Sequence, residues 1–203
     1  MKIEVLVDKP TVCKIISAAI PLFAMKGLAA VSVKELAEAA GVNVALISYY
    51  FGGKDNLYTY VLENQLAILD DALTVIQQEE TCPVVKIRRM ALTMARAHKE
   101  NPYLYRLFYS EVTNPTKWFE RFVLTAGHKL NSFCKDCIVE AISQGQFRAD
   151  LQPDLAAISL IKILNLSLIT LFLSKELLPP ANDPIEEYTM QALDIYLRGV
   201  SNP

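Results

Sequence analysis

The chain has 203 residues, 52% of them hydrophobic, with only seven glycines and a formal net charge of −2. That length allows one or two domains with a substantial core, and the lack of an alternating apolar and polar pattern excludes a strand-built fold in favour of an all-helical one. The charge announces no polyanionic partner for the chain as a whole, and four cysteines (Cys13, Cys82, Cys134 and Cys137) without a secretion signal suit free thiols in a reducing cytoplasm.

The opening MKIEVLVDKP has an apolar run too short and too acidic for a secretion signal, and it reads as a disordered arm. The first helix is predicted from about Asp8 to Lys26, with Val12, Ile15, Ile16, Ala19, Leu22 and Phe23 facing inward and Pro21 removing one backbone bond. Gly27 ends it. Residues 31–54, VSVKELAEAAGVNVALISYYFGGK, follow. Ser32 with Glu35 three residues on is a capping box that starts a short helix near Val33. Leu36, Ala37 and Ala40 give that helix an apolar side, and Gly41 ends it. Asn43 caps a second short helix whose Ile47 packs inward against Leu36, leaving Val44, Ala45, Ser48 and Tyr49 on other faces. Two short helices around a tight turn make a helix-turn-helix, whose second helix inserts into the DNA major groove. Ala45 and Ser48 are small enough for close approach to base edges. On the capping and the glycine alone, an ordinary helical hairpin in an all-α core fits equally well.

Four stretches resemble the DNA-binding domain of the TetR family of transcriptional regulators, over roughly residues 9–58. They are Ala19, Leu22, Phe23, Gly27 and Leu28; the VSVKELA segment; AGV; and the run from Tyr49 to Tyr58, YYFGGKDNLY. The wording GVNVALISYYFGGKDNLY is similar to the subgroup around CecR, also called YbiH. The resemblance implies that Lys34, Val44, Ala45, Ser48, Tyr49 and Tyr50 face DNA and that Lys54 meets a phosphate, with the capping Ser32 and Asn43 in the same surface. The chain departs from the family at Ser48, where a tyrosine is usual, and at Leu46, where a small hydroxyl residue is common. Residues 1–60 hold six lysines and no arginine against five acids. Phosphate neutralisation supplies most non-specific affinity, so modest, salt-sensitive binding is expected.

Gly52-Gly53 precede a long helix that carries Leu57, Val61, Leu62, Leu66, Leu69 and Leu73 towards Glu80. Cys82-Pro83 marks a boundary before a helix from Val84 to Glu100, and Asn101-Pro102 starts another. Tyr103, Tyr105, Phe108, Tyr109, Trp118, Phe119 and Phe122 then form either a core aromatic cluster or, with Met90, Met94 and His98, the walls of an apolar ligand pocket. The candidate ligand residues are Met90, Met94, His98, Phe108, Trp118 and Phe122. The family resemblance implies small-molecule binding in this region, where Glu111, Pro115 and Thr116 match the subgroup's Glu-x-x-x-Pro-Thr. A long helix is predicted from Thr116 to Gly145, with Cys134 and Cys137 one turn apart outside any redox or zinc setting. His98 and His128 lie in different helices, so neither a metal, a cofactor nor a catalytic constellation is read.

Residues 155–173 approach membrane-span length, but Lys162 and Asn165 favour a helix buried by its own domain on one side and by a partner on the other. Its stripe of Ala157, Leu160, Ile161, Leu164, Leu168 and Leu171, with Tyr188, Leu193 and Tyr196 of the last helix, is the expected homodimer interface. The family resemblance implies the same, as a four-helix bundle. The sequence thus predicts an all-α protein of about nine helices, with a DNA-binding domain over residues 1–58 and an effector-binding, dimerising domain over 59–203. It would be a cytoplasmic homodimer without enzymatic or membrane function, binding a palindromic double-stranded DNA operator and released by a small apolar molecule. The alternative is a helical carrier or sensor without effective DNA binding.

Overall fold

A computed structural model describes residues 10–173 and 182–202, without the side chains of Leu104 and residues 166–173. The expected N-terminal arm lies outside these residues. Nine α-helices occur among them: α1 (Pro10–Ala30), α2 (Val33–Ala40), α3 (Val44–Phe51), α4 (Lys54–Glu79), α5 (Pro83–Glu100), α6 (Pro102–Thr113), α7 (Thr125–Ser143), α8 (Pro153–Leu173) and α9 (Pro184–Val200). The chain forms two compact units, one of residues up to Ala67 with Tyr103–Val123, the other of Ile68–Pro102 with residues from Leu124 on.

In the N-terminal unit, α1 passes through Pro21 and breaks at Gly27, whose φ of 76° only glycine adopts without strain. Val12, Ile15, Ala19 and Phe23 form its buried stripe, so this helix, apolar and long enough to cross a membrane, is accounted for as core. That stripe meets Leu36 and Ala37 of α2, Ile47 of α3 and Leu57, Tyr58, Val61 and Leu62 of α4, with Leu107, Trp118 and Phe122 completing the cluster. The single helix predicted from Thr116 to Gly145 is a π-helical segment, Phe119–Leu124, followed by α7. Its start is displaced because the Glu111 carboxylate takes both the backbone N–H and the hydroxyl of Thr116, at 3.2 and 2.7 Å. Helix therefore begins only beyond that turn.

In the C-terminal unit, α5 buries Ile87, Met90, Ala91 and Ala95, α7 buries Cys134, Cys137, Ile138 and Ala141, and α8 and α9 bury Leu160, Leu164, Leu193 and Leu197. Tyr196 donates to the Ala156 carbonyl at 2.9 Å, joining α9 to α8. Asp183 caps α9 by accepting from the Glu186 N–H at 3.2 Å and pairs with Lys99 near the end of α5. A single antiparallel bridge, Phe147 with Ser201, fastens the end of α9 to the turn after α7.

Candidate nucleic-acid interface

Ser32 precedes α2 in extended conformation, and its hydroxyl accepts from the Glu35 N–H at 3.1 Å. The Glu35 carboxylate is held below the usual carboxylate range by the Lys26 ammonium, with the Ser32 N–H adding to the effect. Gly41 turns the chain at φ 64°, and Val42 donates to the Ala37 carbonyl at 3.0 Å. Asn43 then starts α3 by accepting from the Ala45 N–H at 2.9 Å, while Gly52, at φ 73°, ends it. Each boundary of the motif is set by a side chain or glycine within a few residues.

Inward, Leu36 and Ile47 are fully buried and fix α2 against α3. Outward, Ser32, Lys34, Asn43, Val44, Ala45, Ser48 and Tyr49 are all exposed, with Tyr50 half-buried. Tyr49 is 73% exposed and stands edge-on to Tyr50, their ring centroids 5.0 Å apart. An aromatic ring left in water on the same short helix as exposed Val44 is the kind of surface a binding partner covers. Lys34 lies 3.8 Å from Glu38, with both side chains in solvent, and its charge stays available.

Lys54 differs from the rest. It is half-buried, and its ammonium donates to the carbonyls of Leu28 (3.0 Å), Ala29 (3.3 Å) and Val31 (2.8 Å). Nothing local in the sequence signals these bonds, which reach back over 23 to 26 residues.

The six expected ligand residues fall into two groups. Met90, Met94 and His98 follow one buried stripe of α5 in the C-terminal unit, and burial holds the His98 imidazole below its usual pKa, so it is neutral at pH 7. Trp118 and Phe122 belong to the core cluster of the N-terminal unit, and Phe108 packs half-buried against it. The expected dimer stripe also divides. Ala157, Leu160, Leu164 and Leu193 are fully buried in their own unit and Tyr196 nearly so, Ile161 is half-buried, Tyr188 is exposed, and the side chains of Leu168 and Leu171 lie outside the described residues. Among the described side chains, the large apolar residues that α8 and α9 expose are Leu155, Ile158, Tyr188 and Ile195. Sequence periodicity finds a buried stripe but carries no sign of what buries it. Burial pushes the Cys134 and Cys137 thiols up to about 12, which leaves them protonated and weakly nucleophilic. Among the described residues, no three His, Cys, Asp or Glu side chains are grouped to hold a metal.

Two capped short helices around a left-handed glycine, with a buried inner face and an exposed outer one, define a helix-turn-helix protein. Residues 15–61 match the family of bacterial regulatory proteins named tetR. The probable HTH-type transcriptional regulator YttP of Bacillus subtilis is 35% identical over 104 residues, which span 49% of this chain and 49% of that protein. The chain thus spans about half the length of that relative. The ketosteroid transcriptional regulator KstR2 of Mycobacterium tuberculosis superposes with a TM-score of 0.81 at 18% identity, over 97% of each chain. The regulator FadR of Bacillus subtilis, solved in complex with stearoyl-CoA, superposes with a TM-score of 0.74 at 16% identity, over 93% of this chain and 98% of that one. At such identities the two structures share the fold alone. The likeness to the tetR family therefore lies in the helix-turn-helix segment, residues 15–61, set in an all-helical fold that these regulators' structures share.

Proposed function

We propose that the chain is a cytoplasmic, ligand-responsive repressor of the CecR-like kind, which binds a palindromic operator as a homodimer and leaves it when an apolar small molecule binds. The observation that carries this reading is the outer face of α3, where Val44, Ala45, Ser48 and Tyr49 stand in solvent on a helix locked from behind by Ile47. In the proposed division of labour, residues 1–58 read DNA while residues 59–203 bind effector and dimerise. Met90, Met94 and His98 offer a pocket apolar walls and one neutral hydrogen-bonding group. The fold shared with a ketosteroid regulator and with FadR bound to stearoyl-CoA supports an apolar effector. An effector can shift DNA affinity only by its preference between two states, commonly about 1 to 3 kcal/mol.

The test is binding to the DNA flanking the protein's own gene, titrated across salt against an unrelated fragment. Tighter binding to the flanking DNA by whole dimers is expected. Replacing Ser48 should change the preference among operator variants without changing the salt slope, because a base-edge contact specifies sequence and neutralises no phosphate. Equal, weak binding to every fragment would favour the rival carrier reading, which the arginine-free first 60 residues support.

For the dimer, Leu155, Ile158 and Ile195 are 62, 46 and 66% exposed after their own core has formed, which supports a second copy as their cover. Ile195→Glu combined with Leu155→Glu is expected to give a folded monomer by sedimentation. It should also abolish tight operator binding, since two recognition helices must sit about 34 to 36 Å apart to read both half-sites. A double variant that sediments as a dimer would place the interface elsewhere.

A further inference from the structure

We propose that Lys54 is a positioning residue that closes the helix-turn-helix from behind, and that it contacts no DNA phosphate; the inference rests on the DNA-binding reading above. A lysine ammonium has three N–H donors and no acceptor. Here all three have partners, the carbonyls of Leu28, Ala29 and Val31. Gly27 takes α1 out of helical geometry just before them, and a helix end leaves carbonyls that no following turn can satisfy. A cation at that end bonds to them and meets the negative pole of the helix dipole.

The place of these bonds in the chain gives them their function. Val31 directly precedes Ser32, the residue that caps α2, and Lys54 is the first residue of α4, two residues beyond the glycine that ends α3. One ammonium therefore ties the entrance of the helix-turn-helix to its exit. The 22 residues between Val31 and Lys54 become a closed loop held by three charge-assisted bonds, and the angle at which α2 leaves α1 is fixed before DNA arrives. To reach a phosphate, the ammonium would have to release carbonyls that have no other described donor. Lys34, exposed and only loosely paired with Glu38, is the better placed cation for that task.

A lost phosphate contact and a lost positioning contact differ in the salt dependence of binding. Lys54→Met and Lys54→Arg would be titrated with operator and with unrelated DNA over a range of salt, beside hydrogen exchange of the free proteins. Lys54→Met is expected to weaken operator binding by about tenfold or more, because the binding-competent arrangement of α2 and α3 becomes a minor state. The slope of log affinity against log salt should stay that of the parent, and unrelated DNA should lose less. In the free protein, the amides of Glu35 and Leu36 should exchange faster while those of α5 and α9 are unchanged. Lys54→Arg should rescue the operator only in part, since a planar guanidinium does not match three carbonyls converging on one nitrogen.

A slope reduced by about 0.9 for each protomer, equal losses on both DNAs and full rescue by arginine would overturn the proposal and restore the phosphate role. Unchanged exchange at Glu35 and Leu36 would overturn it as well. If the parent itself fails to prefer the operator, the DNA-binding reading fails separately, and exchange still decides what Lys54 holds. Should Lys54→Met not fold, the Lys54→Arg titration and its exchange pattern decide between the two roles.

Discussion

Truncating Trp118 to alanine is expected to destabilise the N-terminal unit by about 3 to 5 kcal/mol, the range for removing a large aromatic side chain from a packed core. The ring is 8% exposed and stands edge-on to Tyr58 with centroids 5.2 Å apart. Its indole N–H donates to the Thr59 hydroxyl at 2.8 Å, and that hydroxyl donates in turn to the Asp55 carbonyl at 3.0 Å. The Lys117 ammonium lies 4.2 Å from the ring centroid and bonds Asp55 at 3.2 Å. Truncation removes the ring, leaves a void beside Tyr58 and breaks the bond to Thr59. Trp118→Phe, which keeps most of the volume and loses the N–H, should fall about 1 to 3 kcal/mol short of the parent. Denaturant unfolding followed by far-ultraviolet circular dichroism measures both. An alanine variant as stable as the parent, but deaf to an apolar effector, would instead support the ligand role that the aromatic pattern suggested.

How much of this was legible depends on how far each signal travels along the chain. The helix-turn-helix could be read nearly to the residue, because Ser32, Gly41, Asn43 and Gly52 act on backbone groups within four residues of themselves. Amphipathic stripes were also legible: Val12, Ile15, Ala19 and Phe23 are buried as their spacing predicts. What a stripe could not reveal was its partner. Ala157, Leu160 and Leu164 repeat like an interface, yet they face their own unit, and Trp118 and Phe122 pack in the unit that holds the helix-turn-helix. Least legible were polar contacts between distant residues, such as Lys54 with Val31 and Tyr58 with Glu111. The latter left one trace, a lone carboxylate at a helical position that periodicity would fill with an apolar residue.

That carboxylate carries the second large effect. Glu111 is 2% exposed and accepts from the Tyr58 hydroxyl at 2.5 Å and from the N–H and hydroxyl of Thr116. Burial, reinforced by the carboxylate, holds the Tyr58 phenol far above the usual tyrosine range, so it keeps its proton and remains a donor. Tyr58 also meets Phe23 of α1 edge-on at 5.1 Å, so Glu111 links α6 and the following turn, through one phenol, to the core against which α2 and α3 pack. Glu111→Ala strands that phenol in an apolar core and frees Thr116, for an expected loss of about 2 to 4 kcal/mol, because each orphaned buried donor is worth about 1 to 3. Tyr58→Phe should cost about 1 to 3 kcal/mol by leaving the carboxylate short of a donor. Once either partner is gone, removing the other should matter less. The double variant should therefore be more stable than the sum of the two losses implies, by about 0.5 to 3 kcal/mol. Strict additivity in the unfolding free energies would show that the short contact carries no energy of its own. A shortfall would place Glu111 in the framework that holds the recognition helix, and Glu111→Gln, which retains an acceptor, should recover part of both stability and operator binding.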